Sequence, residues 1–228
     1  MSRQAVIAAT LVAALVSVAG CTARHQAPTV VRGDGGSLGW PSESLTDWVS
    51  YADVVVVVHV DSEWPQPESD DVKRTGEGLV GRTVEVSVTS TLWQRQPTFI
   101  APAKTTLDAW GWVVKDGKKQ PTVARGSSRI EVGHAYVMGW TSSGKRPGWS
   151  SLGPGAEIPF DQGIAGTGER VGADPAHTDS AASARQQLNG RDRDSIAAVL
   201  AGTAPDPLAV KYASLPVLER YQRVTAEQ

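Results

Sequence analysis

Residues 52–64 read ADVVVVVHVDSEW, and the five consecutive valines Val54 to Val58 decide the fold. β-Branched side chains are stiff at χ1 and pack well on a pleated surface, so such a run predicts a strand. Both faces of the run are apolar, which places the strand in the interior of a sheet. Asp61 and Glu63 mark its emergence into solvent. His59, Asp61 and Glu63 stand at alternate positions and are expected to project from one face.

Outward from this strand the pattern repeats. A polar loop, PQPESDDVKRTGEG (65–78), leads to RTVEVSVTSTLW (82–93), where Val84, Val86 and Val88 alternate with Glu85, Ser87 and Thr89 as in a strand with one buried face. TTLDAWGWVVKDGKK (105–119) reads as a third strand ending in the turn KDGK. SSRIEVGHAYVMGWTSS (127–143) reads as a fourth, with Gly133 and Gly139 as candidate bulges, and GAEIPFD (155–161) as a weaker fifth. Short strands separated by turns, with no helical pattern between them, predict a mainly β, α+β chain: an antiparallel β-barrel or sandwich.

The flanks differ. PSESLTDWVSYAD (41–53) predicts a short helical turn capped by Ser44 or Thr46. AGTGERVGADPAHTDSAASARQQ (165–187) is small and polar and reads as a long loop. From Asp194, the spacing of Ile196, Val199 and Leu200 is helical and stops at Gly202; PDPLAVKYASL and PVLERYQRV each carry proline near the start of a further short helix. These C-terminal helices are expected to pack on the sheet.

The amino terminus carries Arg3, a 14-residue apolar run from Ala5 to Val18, and Ala19-Gly20 before Cys21, the only cysteine in 228 residues. The run is short for a span, which needs about 20 apolar residues, and suits an export signal. Val18-Ala19-Gly20-Cys21 resembles the lipobox of bacterial lipoproteins, which implies a diacylglycerol on the Cys21 sulfur, cleavage before it, and acylation (palmitate) of the new amino terminus. The expected location is the extracytoplasmic face of a cell membrane, lipid-anchored. A lone cysteine forms no internal disulfide, so the folded part depends on its core. The expected organisation is a signal peptide over 1–20, a flexible tether over 21–43 containing GDGGSLG, an antiparallel β domain over 44–166, a polar loop over 167–190 and a helical flank over 191–228.

Loss of Arg3 with the signal leaves 21 Lys and Arg against 24 Asp and Glu, with no basic stripe. Nucleic acid is therefore excluded as the main partner. Besides the membrane, a protein or a cell-wall component remains as the partner class. No cofactor motif is present: GDGGSLG lacks the preceding strand and following helix of a dinucleotide loop. GWSSLG (148–153) misses the Gly-x-Ser-x-Gly nucleophile elbow by one residue at both Ser150 and Ser151. His59, Asp61 and Glu63, with His134 as a distant fourth, form the one weak metal-ligand candidate, although residues two apart on a strand lie about 6.5 Å apart.

Eight tryptophans against two phenylalanines are the compositional outlier, all between Trp40 and Trp149. Trp110 and Trp112 are expected to share one face of a strand, Trp93, Trp140 and Trp149 to lie at strand ends or in loops, and Trp149 to be the most exposed. Indoles suit stacking on sugars or anchoring a partner, but in a phenylalanine-poor chain filling the core is the stronger expectation. Three readings follow: a non-enzymatic binding or interaction module of the envelope, a carbohydrate binder using Trp110, Trp112 and Trp149, and a surface hydrolase or metal-dependent enzyme.

The order YADVVVVVHV, TVEVSVTSTLW, WGW, RIEVGHAYV, LGPGAEIPFDQG and a helical tail is similar to a group of actinomycete cell-surface lipoproteins; the likeness implies architecture and no activity. The opening strand pair, ending in Leu92-Trp93, resembles OB-fold and netrin-like barrels, which implies an OB-like sheet. The single cysteine departs from the disulfides usual in netrin-like domains.

Overall fold

A computed structural model describes residues 31–33, 40–124, 127–142, 148–169 and 183–228. The apolar amino-terminal run, Cys21 and most of GDGGSLG lie outside the described residues, as does the polar stretch 170–182. No helix among the described residues is long and apolar enough to cross a membrane.

The chain folds into one curled, half-barrel sheet of mainly antiparallel strands with short helices. The strands are β1 (Val31–Gly33), β2 (Val54–Pro65), β3 (Gly78–Gln94), β4 (Lys104–Lys115), β5 (Lys118–Ala124), β6 (Ala135–Ser142), β7 (Trp149–Ser151) and β8 (Glu157–Pro159). Their order is β1-β5-β4-β3-β2-β6-β7, and β8 pairs with β6. β1 runs parallel to β5, with Val31 opposite Thr122, so part of the stretch read as tether joins the sheet.

The valine run lies where its composition places it. Val54, Val56, Val58 and Val60 enter an inner core with Val84, Val86, Leu107, Ile130, Tyr136, Met138 and Trp140. Val55 and Val57 enter an outer core beneath the helices, with Trp48, Leu188, Ile196, Leu200 and Val224. Each fully buried valine contributes about 1.5–3 kcal/mol of transfer free energy, which is why β2 holds the centre.

Bulges bend this sheet. Opposite β2, β3 carries an extra residue between the partners of Val55 and Val56 and another between those of Val57 and Val58, and β2 carries one between Val60 and Ser62. β4 carries one opposite the step from Val80 to Arg82. Each inserted residue raises the local twist, and together they curl the sheet towards closure. Gly139 is not a bulge: it pairs regularly with Val55, and a Cβ there would lie 3.3 Å from the Ala156 Cβ. Gly133 sits in a turn with φ 85°, and the fourth strand begins only at Ala135.

Among the described residues six α-helices complete the fold: α1 (Leu45–Tyr51), α2 (Asp70–Thr75), α3 (Ala184–Leu188), α4 (Arg193–Gly202), α5 (Pro207–Lys211) and α6 (Val217–Glu227). Ser44 caps α1 in a capping box with Asp47, the two backbone bonds measuring 3.0 and 2.9 Å. α2 interrupts the stretch read as a polar loop: Ser69 caps it, Asp70 and Asp71 open it, Lys73 and Arg74 close it, and Gly76 ends it at φ 69°. α3 likewise forms inside the stretch read as loop over 167–190.

Asp53, 2% exposed, clamps the helices to the sheet. Its Oδ1 accepts from Arg95 Nη2 at 2.5 Å and Nε at 3.2 Å, and its Oδ2 accepts from the Ser142 backbone N–H at 2.8 Å. Arg220 of α6, 1% exposed, lies 3.9 Å from the same carboxylate and donates to the Ser50 carbonyl at 2.6 Å.

Candidate functional site

The residues that invited a metal reading are not brought together. Beyond Val60 the bulge of β2 shifts the alternation by one, so Glu63 faces Val84 across the pair and turns to the inner side. There it meets the guanidinium of Arg82, which is fully buried. His59 and Asp61 stay outside, with Nδ1 of His59 3.1 Å from Asp61 Oδ1. Asp61 Oδ2 accepts from Ser87 Oγ at 2.6 Å and lies 3.1 Å from Lys104 Nζ; these bonds, Ser87's foremost, hold the Asp61 carboxyl down to about 2. His134 pairs separately, 2.5 Å from Asp161 Oδ2. Among the described residues no three His, Cys, Asp or Glu side chains form a group able to hold a metal ion.

The serines of GWSSLG form no nucleophile elbow. Trp149, Ser150 and Ser151 make up the short strand β7. Trp149 itself, expected to stand exposed, is half-buried against Trp140, with ring centroids 6.3 Å apart. Its apolar face is used by the inner core, and Trp64, at 44%, is the most exposed indole.

A cavity of about 840 Å³ opens between β4 and β5 on one side and β7, β8 and the Trp40–Glu43 segment on the other. That volume suits a small ligand held at the mouth of a barrel. Its aromatic walls are Trp40, Trp110, Trp112 and Tyr221, with Ile130 reaching in from the segment between β5 and β6. Trp40 meets Tyr221 edge to face, centroids 6.4 Å apart. Trp110 and Trp112 thus line one cavity, although the β4 bulge falls between Ala109 and Trp112 and breaks simple alternation. Gly111 sits within that bulge: a Cβ there would lie 2.2 Å from the Val80 carbonyl oxygen, so only glycine allows the approach.

The wall behind Trp110 and Trp112 is ionic and saturated. Arg82 donates from Nε to the Trp110 carbonyl at 2.6 Å and from Nη2 to the Ile130 carbonyl at 3.0 Å. Arg129 donates from Nη1 to the Trp110, Gly111 and Thr122 carbonyls at 3.1, 2.8 and 3.1 Å. Glu169 accepts from the backbone N–H groups of Arg129 and Ile130 at 2.6 and 3.0 Å and from the Tyr136 hydroxyl. Burial pushes the Tyr136 phenol up and the Arg129 guanidinium down. With every guanidinium committed to carbonyls and carboxylates, this lattice fixes the wall.

One polar side chain of the cavity is of another kind. Glu157 of β8 is 7% exposed, and burial pushes its carboxyl up to about 7, against smaller pulls downward from the Ser151 hydroxyl and from Arg185. A buried, perturbed acid in a cavity is a physical marker of a functional group. The sequence carries a faint sign of it: GAEIPF holds one acid in an otherwise apolar strand. Trp40 and Tyr221, 181 residues apart, offer no such sign.

Compared with known proteins, the chain matches no family model and no curated protein.

Proposed function

We propose that this chain is an extracytoplasmic lipoprotein, anchored to the cell membrane through lipid on Cys21, and that it serves as a non-enzymatic binding module of the envelope. The apolar run and Val18-Ala19-Gly20-Cys21 support the anchor. The observation that carries the binding function is the aromatic cavity at the open side of the half-barrel, with Glu157 and Ser151 as convergent polar groups. The hydrolase reading needs His59, Asp61, Glu63 and His134 to converge in one cleft, and they are spread over separate pairs. The carbohydrate reading is carried by a different trio than expected: Trp40, Trp110 and Trp112 line the cavity, while Trp149 packs against Trp140.

Expression of the full chain in a lipoprotein-processing bacterium tests the anchor. The wild type is expected in the membrane fraction, labelled by radioactive palmitate, and Cys21→Ser is expected to lose the label and to keep its precursor length. Labelling of the Cys21→Ser variant overturns the anchor. Acrylamide quenching of tryptophan fluorescence tests the cavity: a bound ligand shields Trp40, Trp110 and Trp112 together. A ligand that binds without shielding them removes the cavity from the proposal.

A further inference from the structure

We propose that the cavity selects a small organic cation, of the quaternary or methylated ammonium class, held by the rings of Trp40, Trp110, Trp112 and Tyr221 and by the carboxyl of Glu157. This rests on the binding-module reading and names the ligand class of that same cavity.

The argument begins with the wall's charge. Three acids, Glu43, Asp108 and Glu157, line the cavity, and no lysine, arginine or histidine does among the described residues. The ring faces add negative quadrupole potential, strongest for tryptophan. A neutral sugar would use the rings and leave the charge idle; an anion would be repelled by both. A methylated ammonium is weakly hydrated for a cation, loses little on leaving water, and presents CH groups to aromatic faces. The chain already uses this contact internally, because the Arg129 guanidinium carbon lies 5.6 Å from the centroid of the Trp112 ring.

Arg82 and Arg129 have acids of their own beside them. Arg82 and Arg129 spend their donors on carbonyls behind the wall and are accompanied by Glu63, Glu131 and Glu169. Arg185 donates from Nη2 to the backbone oxygen of Glu157 at 3.1 Å. Even with Arg185 near, burial keeps the Glu157 carboxyl up at about 7, so an arriving cation stabilises a charge that burial disfavours.

Titration of the full chain, purified in detergent, with choline chloride tests this by tryptophan fluorescence and calorimetry. The control is 3,3-dimethyl-1-butanol, which has the same shape with carbon in place of nitrogen; an N-acetylglucosamine oligosaccharide is the third probe. Choline is expected to bind saturably and at least about tenfold more tightly than the isostere. Glu157→Gln, close to isosteric, and Trp110→Phe, which weakens the ring's pull, are each expected to lower choline affinity about five- to tenfold, with circular dichroism unchanged. Equal binding of choline and its isostere, or full choline affinity in both variants, overturns the cation assignment. Binding of the isostere or the glycan without choline overturns it too, and leaves the binding module standing. Failure of all three probes overturns the assignment, and tryptophans that no wall fragment shields then overturn the module reading as well.

Discussion

Glu157 shows how much one side chain can settle. Its folded carboxyl is raised to about 7 from an ordinary 4.5, so between those values the native state holds more protons than the unfolded chain. Stability therefore falls as pH rises through this window and levels off above it, by an amount on the order of 3 kcal/mol for a shift of this size. Urea unfolding at pH 5, 6, 7 and 8 is expected to show wild type losing stability relative to Glu157→Gln up to about pH 7. A constant difference between the two across the series would mean that the acid is solvated. The sequence placed this acid in a short strand and attached no role to it, because burial of a lone carboxyl depends on what crosses above it. Here that is the Trp40–Glu43 segment and the half-barrel wall, both remote in the chain.

Elements were legible in proportion to how strongly they bury a face. The valine run of β2, the alternation of β3 and the spacing of Ile196, Val199 and Leu200 in α4 all reflect packing on a core, and each element forms where its pattern lies. β5 escaped notice because its first residues, Lys118 to Gln120, are exposed and carry no alternation. The places of the bulges are not legible either, and Gly133 and Gly139 mark none: a one-residue insertion leaves no compositional trace, yet the one beyond Val60 separates Glu63 from His59 and Asp61. The β4 bulge is open to test through Gly111. Gly111→Ala sets a methyl against the Val80 carbonyl and must push β4 off β3, at a cost of several kcal/mol. A lowered melting temperature with Trp110 and Trp112 more open to acrylamide than in the wild type is the expected result; an unchanged melting temperature would rule out the close approach.

Across the whole molecule, the helices and the half-barrel behave as one unit because Asp53 joins them. Replacing it by asparagine keeps the shape and removes the counter-charge for Arg95, 12% exposed, and Arg220, 1% exposed. Breaking a buried pair from one side costs about 3–5 kcal/mol. Asp53→Asn is therefore expected to shift the urea midpoint strongly, with helical and strand signals lost together; loss of the helical signal first would show that the helices fold on their own account.

The short parallel ladder between Val31–Gly33 and β5 has a mechanical consequence. With lipid on Cys21, as proposed, nine residues separate the anchor from the ladder, and the ten Cα steps from Cys21 to Val31 reach at most about 35 Å. Peeling those three residues leaves Trp40 as the next attachment among the described residues, where its backbone N–H donates to the Leu152 carbonyl at 3.1 Å. The reach then grows to at most about 65 Å. The ladder is thus a slip-knot in a leash: closed, it keeps the cavity near the lipid surface; drawn open under load, it lets the barrel rise roughly twice as far without unfolding.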